Sequence, residues 1–310
     1  MLGQGYLDIP VAELVVFLFV VNRTAVLAST LIANNNGFVA AIPSFEQIYA
    51  LKNEAVSSQE NQNPKIIERF NKEISISQLD FSYEEHQTLK NISISIQKGK
   101  MTSIVGPSGS GKSTLIDILM GYYKIKDGSI SIDGTAFEKI NLNSWRDLIG
   151  YIPQQPFLFN ASIRANISWA NPKIKNEDII SACKLAHVHD FVMDMKDGYE
   201  TIVGERGMKL SGGQAQRICL ARAIASQPEI LILDEATSSL DSNSESLIQE
   251  SIESLQGDIT IISVAHRLST IVNSNHIYFL EEGCLIEDGT FEDLMMKKGK
   301  FYAAAKLQGM

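Results

Sequence analysis

The stretch Gly106-Pro107-Ser108-Gly109-Ser110-Gly111-Lys112-Ser113-Thr114 decides the fold. It satisfies the pattern G-x-x-x-x-G-K-[ST] in full, the pattern of a loop whose backbone N–H groups cradle phosphate. Glycines at 106, 109 and 111 let the backbone close on an anion without Cβ clashes. Its flanks agree. An apolar strand over 102–105 feeds the loop, and a helix bearing Leu115, Ile116, Ile118 and Leu119 leaves it, adding the partial positive charge of a helix start. A glycine- and serine-rich turn matching by chance would explain neither flank. In such a loop Lys112 reaches the β- and γ-phosphates of a nucleotide, and Ser113 offers its hydroxyl to Mg²⁺.

Working outward, the run Ile230-Leu231-Ile232-Leu233 suits a strand buried on both faces of a parallel sheet, and it ends in Asp234-Glu235. Adjacent strand residues point to opposite sides, so the two carboxylates can take different tasks. Asp234 suits the water shell of Mg²⁺; Glu235 suits orienting or deprotonating an attacking water. Alternation at Ile74-Ser75-Ile76 and over 92–96 predicts strands. Strands then alternate with helical segments to the C-terminus, giving an α/β core. The 127–133 stretch DGSISID lacks the later Glu of a calcium loop and reads as a hairpin turn.

The N-terminus differs in kind. Residues 11–33 are dominated by apolar and small side chains, a length sufficient to span a bilayer, and no Lys or Arg precedes the run as a cleavable leader requires. Asn22 and Arg23 fall in its middle. An Arg at mid-membrane costs about 2.5–3.5 kcal/mol, so such a helix packs among partners or lines a polar pathway; a soluble amphipathic helix is the other reading. Phe38, Ile42, Phe45 and Tyr49 continue a helical spacing, with a kink predicted at Pro43, and the polar stretch 53–64 reads as a linker.

A formal net charge of −9 argues against a nucleic-acid partner, which needs a basic face. Cys183, Cys219 and Cys284 are too scattered for a metal cluster or a disulfide framework and read as reduced thiols. The sequon Asn166-Ile167-Ser168 is expected by chance, and His86, His187, His189 and His276 lack a partner pattern.

Further motifs follow in order: Tyr83 in LDFSYEEHQTLKNISISI, Gln154 in YIPQQPFLF, IVGERG over 202–207, LSGGQ over 210–214 shortly before ILILDEATSSLD, Ser239-Leu240-Asp241, and His266 in SVAHRLST. Together they resemble the ATP-binding cassette (ABC) superfamily from about residue 74 to the C-terminus. The resemblance implies a P-loop ATPase domain with a mixed sheet core, an antiparallel β subdomain and a helical subdomain, preceded here by a membrane-type helix. By resemblance Tyr83 stacks on adenine. Gln154 touches Mg²⁺ and relays movement to a membrane partner. His266 bonds the γ-phosphate and fixes Glu235 with its water.

Ser211, Gly212 and Gly213 open a predicted helix running to Ser226, with Ile218, Leu220, Ala221 and Ala225 as its buried positions. One chain thus carries two phosphate-type helix starts but one lysine-bearing loop. The economical resolution is a head-to-tail dimer, homodimer or heterodimer, in which Ser211, Gly212, Gly213 and Gln214, with Asp241, complete the site of the other subunit. An ordinary glycine-rich cap at Ser211 is the competing reading.

Residues 8–56 resemble the last membrane helix and cytosolic extension of an exporter-type half-transporter. The expected organisation is a remnant of the transmembrane domain over 1–56, a linker over 57–70 and the ATP-binding domain over 71–310, with the protein in the membrane and its ATPase domain cytoplasmic. The chain lacks the further helices of a translocation pathway, so either Met1 lies within a longer protein or those helices belong to a separate chain. A soluble cassette ATPase with a non-transport role, and another P-loop enzyme such as a small-molecule kinase, are the other readings. The transported substrate is unreadable.

Overall fold

The computed structural model describes residues 10–57, 65–169, 171, 173–235, 240–265 and 271–307. The chain divides into two compact units, Met1–Asn61 and Gln62–Met310.

The first unit is one helix, α1 (Val11–Ser57), 47 residues long, or about 70 Å at the α-helical rise. It is long and apolar enough to cross a membrane, and its described side chains are exposed throughout. Its hydroxyls bond within the helix: Thr24 donates to the Val20 and Val21 carbonyls, Ser29 to Ala25 and Thr30 to Val26. Helical structure continues through Pro43.

The second unit holds two sheets. Strands β1 (Glu73–Tyr83), β2 (His86–Gln97), β4 (Asp127–Ile132) and β5 (Thr135–Ala136) form an antiparallel sheet in the order β2-β1-β4-β5. The alternation that predicted strands is what closes this sheet: Ile74 and Ile76 pair with Ile96 and Ile94, and all four are buried. Here one expectation is corrected. Most of 127–133 is strand β4, and the turn lies at Asp133-Gly134, both with positive φ (50° and 75°), as a two-residue hairpin loop requires. Asp133 then accepts from the N–H groups of Asn71, Lys72 and Glu73, so this acidic residue ties down the chain entering β1.

The second sheet is mixed. It comprises β3 (Met101–Val105), β6 (Ile149–Ile152), β7 (Ile230–Asp234), β8 (Thr260–Ala265), β9 (His276–Glu281) and β10 (Cys284–Gly289), in the order β10-β9-β3-β8-β7-β6. Only the β9–β10 pair is antiparallel. The apolar run that forms β7 follows from its position: Ile230 and Ile232 join one hydrophobic cluster while Leu231 and Leu233 join another, so both faces are covered. Burying such a side chain contributes about 1.5–3 kcal/mol.

The helices sort onto those faces. Helix α2 (Lys112–Leu119) and α3 (Leu142–Asp147) pack with Ile230, Ile232 and the antiparallel sheet. On the Leu231 and Leu233 face lie α4 (Ile163–Ser168), α5 (Asn176–Leu185), α6 (His189–Met193), α7 (Gly212–Ala225) and α8 (Ser242–Leu255). Helices α9 (Phe291–Lys297) and α10 (Lys300–Leu307) cover a third cluster with Val105, Ile277 and Phe279.

Candidate nucleotide-binding site

The parallel strands deliver the site. Register pairs Val105 with Ala265, Asp234 with Val264 and Ile152 with Leu233, so β3, β8, β7 and β6 end along one edge. Off that edge come the 106–114 loop from β3, Asp234 and Glu235 from β7, and Gln154 two residues past β6. His266, which follows β8, and Ser239 lie outside the described residues.

The loop has the shape an anion cradle needs. Gly109 and Gly111 adopt φ of 78° and 98°, and Gly106 φ of 153°, where an added Cβ would lie 2.0 Å from the Leu280 carbonyl oxygen. The α2 start follows left-handed Gly111 with no side-chain cap. Among the described residues no backbone carbonyl accepts from the N–H groups of Lys112, Ser113 or Thr114, the donors that a helix start leaves for an external partner. Pro107, Ser108, Gly109 and Ser113 are exposed, whereas Ser110 is buried with its hydroxyl unpartnered. Lys112 donates to the Gly106 and Pro107 carbonyls at 2.9 Å each. Burial lowers its pKa, and the nearby Glu235 and Asp234 charges oppose that shift.

Around the loop, Tyr83 ends β1 38% exposed, edge-on to Phe81 and Tyr123, with its hydroxyl 3.4 Å from Thr114 Oγ1. Gln154 Nε2 donates to Glu235 Oε2 at 2.6 Å, joining residues 81 apart in sequence. Glu235 itself has φ 46° and donates its N–H to Val264, a left-handed turn at a strand end that the sequence does not announce. Asp234 accepts from the Tyr151 hydroxyl at 3.2 Å. Burial raises its carboxyl pKa; the Tyr151 bond and Lys112 pull down, while Glu235 and Asp117 add to the rise. Asp117 lies outside the motifs, and Tyr151, though it opens YIPQQPFLF, carries no sequence sign of this contact. Their side chains become visible only once β6 and α2 are placed beside β7.

These residues suit Mg²⁺. A serine hydroxyl, a carboxylate and an amide oxygen are the hard donors it takes, and it is ordinarily held by one or two protein groups plus substrate phosphates.

The Ser211 helix start lies elsewhere. Ser211 caps α7 through a reciprocal capping box: its hydroxyl accepts from Gln214 N–H, and the Gln214 side chain accepts from Ser211 N–H. Ser211 and Gly212 are exposed. Gly213 is buried so tightly against α8 that an added Cβ would sit 2.0 Å from Ser244 Oγ. Asp241 caps α8, accepting from Ser244 N–H at 2.9 Å, and its Ser244 bonds hold its carboxyl below the usual range. Ile218, Leu220, Ala221 and Ala225 are all buried. Since α7 and α2 cover opposite faces of the sheet, the structure does not bring the two phosphate-type helix starts together in one hydrophobic cluster.

Residues 89–238 match the family model described as ABC transporter. A model for RsgA GTPase matches 33–135, which contains the same phosphate loop but neither LSGGQ nor Asp234 and Glu235. The heterocyst differentiation ATP-binding protein HepA of Nostoc sp. is 38% identical, over 97% of this chain and 50% of its own length. An ATP-dependent lipid A-core flippase of Syntrophus aciditrophicus is 37% identical, over 88% of this chain and 46% of its own. A solved bacterial Atm1-family ABC exporter with ATP bound superposes with a TM-score of 0.75 at 35% identity, over 81% of this chain and 44% of that one. The chain thus spans about half the length of the relatives it matches. With its phosphate loop, the acidic end of β7 and the Ser211 cap all on one α/β unit, residues 89–238 of this chain form a nucleotide-binding domain of the ABC transporter family.

Proposed function

We propose that the chain is the ATP-hydrolysing part of an exporter, in which closing and opening of two paired cassettes drives export through membrane helices that include α1, with the cassettes on the cytosolic side. The observation that carries this reading is the pair of phosphate-type helix starts on opposite faces of one sheet. A start that cannot fold back on its own loop is free to close over a nucleotide held by a neighbour. The relatives' descriptions as an exporter and a flippase support transport over a non-transport role.

In this reading the 106–114 loop and Lys112 hold the ATP phosphates and Tyr83 packs on adenine. Ser113, Asp234 and Gln154 hold Mg²⁺, partly through water; when bound, it neutralises charge on the phosphates. Glu235 accepts the proton of the attacking water, with His266 fixing both. Ser211, Gly212, Gly213 and Gln214 of a second subunit, with Asp241, complete the enclosure. Glu235 must exchange its Gln154 partner for water before it can act, so the bond between them describes a resting arrangement.

A complementation assay tests the pairing. Lys112→Ala loses the loop's cation, and Ser211→Glu places a negative charge where phosphate would sit. Each alone is expected to be inactive. A mixed dimer rebuilds one whole site, so an equimolar mixture should recover up to about a quarter of the wild-type ATPase rate. A mixture as inactive as its parts, or a specific rate unchanged at dilutions where only monomers persist, would sink the proposal.

A further inference from the structure

Tyr151 makes a contact that packing does not require. It pairs with Ile232 in the β6–β7 ladder, so it stands on the same face of the sheet as Asp234, two residues further along β7. Its ring is partly buried against the cluster that holds α2, a role a phenylalanine would fill equally. The hydroxyl is what distinguishes it, and the hydroxyl goes to Asp234 Oδ2 at 3.2 Å. No hydrogen bond to Oδ1 is found among the described residues. A carboxylate with one oxygen tied and the other open has its plane fixed, and such outer partners of a metal-site carboxylate are worth about 10–100-fold in metal affinity.

We propose that Tyr151 is a positioning residue of the nucleotide site: its hydroxyl holds Asp234 so that Oδ1 remains the oxygen available to the water shell of Mg²⁺. The inference rests on the reading of Asp234 given under the proposed function. It makes the final strand before Gln154 part of the metal site. Metal binding and the Gln154 segment are thereby joined through four residues of chain, Tyr151 to Gln154.

The test is binding of trinitrophenyl-ATP to the full chain, read by fluorescence with Mg²⁺ titrated in and again in excess chelator. Tyr151→Phe should raise the Mg²⁺ concentration for half-effect about tenfold. Its affinity in chelator and its thermal midpoint should match the wild type. Asp234→Asn should shift the Mg²⁺ requirement at least as far, and adding Tyr151→Phe to it should change nothing more, because the hydroxyl acts through that carboxylate. If Tyr151→Phe leaves the Mg²⁺ requirement unchanged while Asp234→Asn shifts it, the role of Tyr151 is overturned and the reading of Asp234 stands. An equal loss of affinity with and without metal would assign Tyr151 to loop packing and overturn the inference. If Asp234→Asn itself leaves the Mg²⁺ requirement intact, the metal reading of Asp234 falls and takes the Tyr151 role with it.

Discussion

Glu235 shows what a single backbone angle does for a site. Its φ of 46° is unfavourable for a residue with a side chain, and its N–H is held by the Val264 carbonyl. The turn takes the carboxylate off the line of β7 and to the Gln154 amide, while Asp234, one residue earlier, stays beside Tyr151. The division of tasks between the two acids thus rests on a strand ending between them. Glu235→Gln keeps the size and the turn but removes the proposed base, so ATP binding should persist while kcat falls about 10²–10⁴-fold. Equilibrium binding and steady-state phosphate release check both halves, and brisk turnover would refute the assignment. The strand that ends in these two acids was legible in the sequence, because such an apolar run suits a strand covered on both faces. The left-handed turn and the Tyr151 contact were not. Each depends on which strand lies next to β7, and β6 pairs with it across 81 residues of chain, Ile149 to Ile230.

Among the elements, α7 was the most readable and α4 the least. The helix start at Ser211 and the buried positions Ile218, Leu220, Ala221 and Ala225 were read from local pattern, and the helix forms there; the Gln214 bond back to Ser211 appears only in the structure. By contrast Asn166, which reads as a chance sequon, is fully buried on α4. It bonds the Phe159 backbone and receives Arg222 from α7 on both its carbonyl and its amide oxygen. Local pattern carries no sign of a side chain whose partners lie 56 residues off. These helices also shield two thiols. Cys183 on α5 and Cys219 on α7 are buried, Cys183 with its pKa pushed up to about 11 and Cys219 raised likewise, both chiefly by burial. A thiol is reactive as thiolate, and a raised pKa keeps it protonated until the pH climbs past that value. At pH 8 only about one Cys183 in a thousand is ionised. Iodoacetamide at pH 8 should therefore label native protein at Cys284 alone and all three cysteines in denaturant, as counted by intact mass. Rapid native labelling of Cys183 would contradict the packing of α5 on α7.

The whole molecule joins two units of different surface character. Residues 62–310 carry their own buried core, whereas α1 exposes Phe17, Phe19, Val20 and Leu31 with no partner surface within its own unit. An apolar helix of that length left in water is an aggregation hazard. A chain beginning at Gln62 should stay soluble without detergent and bind trinitrophenyl-ATP as tightly as the full chain, which should need detergent or lipid; sedimentation and fluorescence titration check the two parts. Failure of the shorter chain to fold would show that α1 contributes to the cassette's stability. A helix long and apolar enough to cross a membrane was evident from composition, and so was the cassette. What the rest of the relatives' length supplies was not, since they extend to about twice this length.

Pro43 sits in α1 without ending it, yet proline has no N–H to give the Val39 carbonyl one turn before it. A rod about 70 Å long therefore has one place where its spine is held by fewer bonds than elsewhere. Bending stiffness is lowest there, so a twist or push applied at either tip would be taken up first around Pro43. The helix is best regarded as two stiff arms on a common flexure, with its elastic weak point written into the chain by one missing hydrogen.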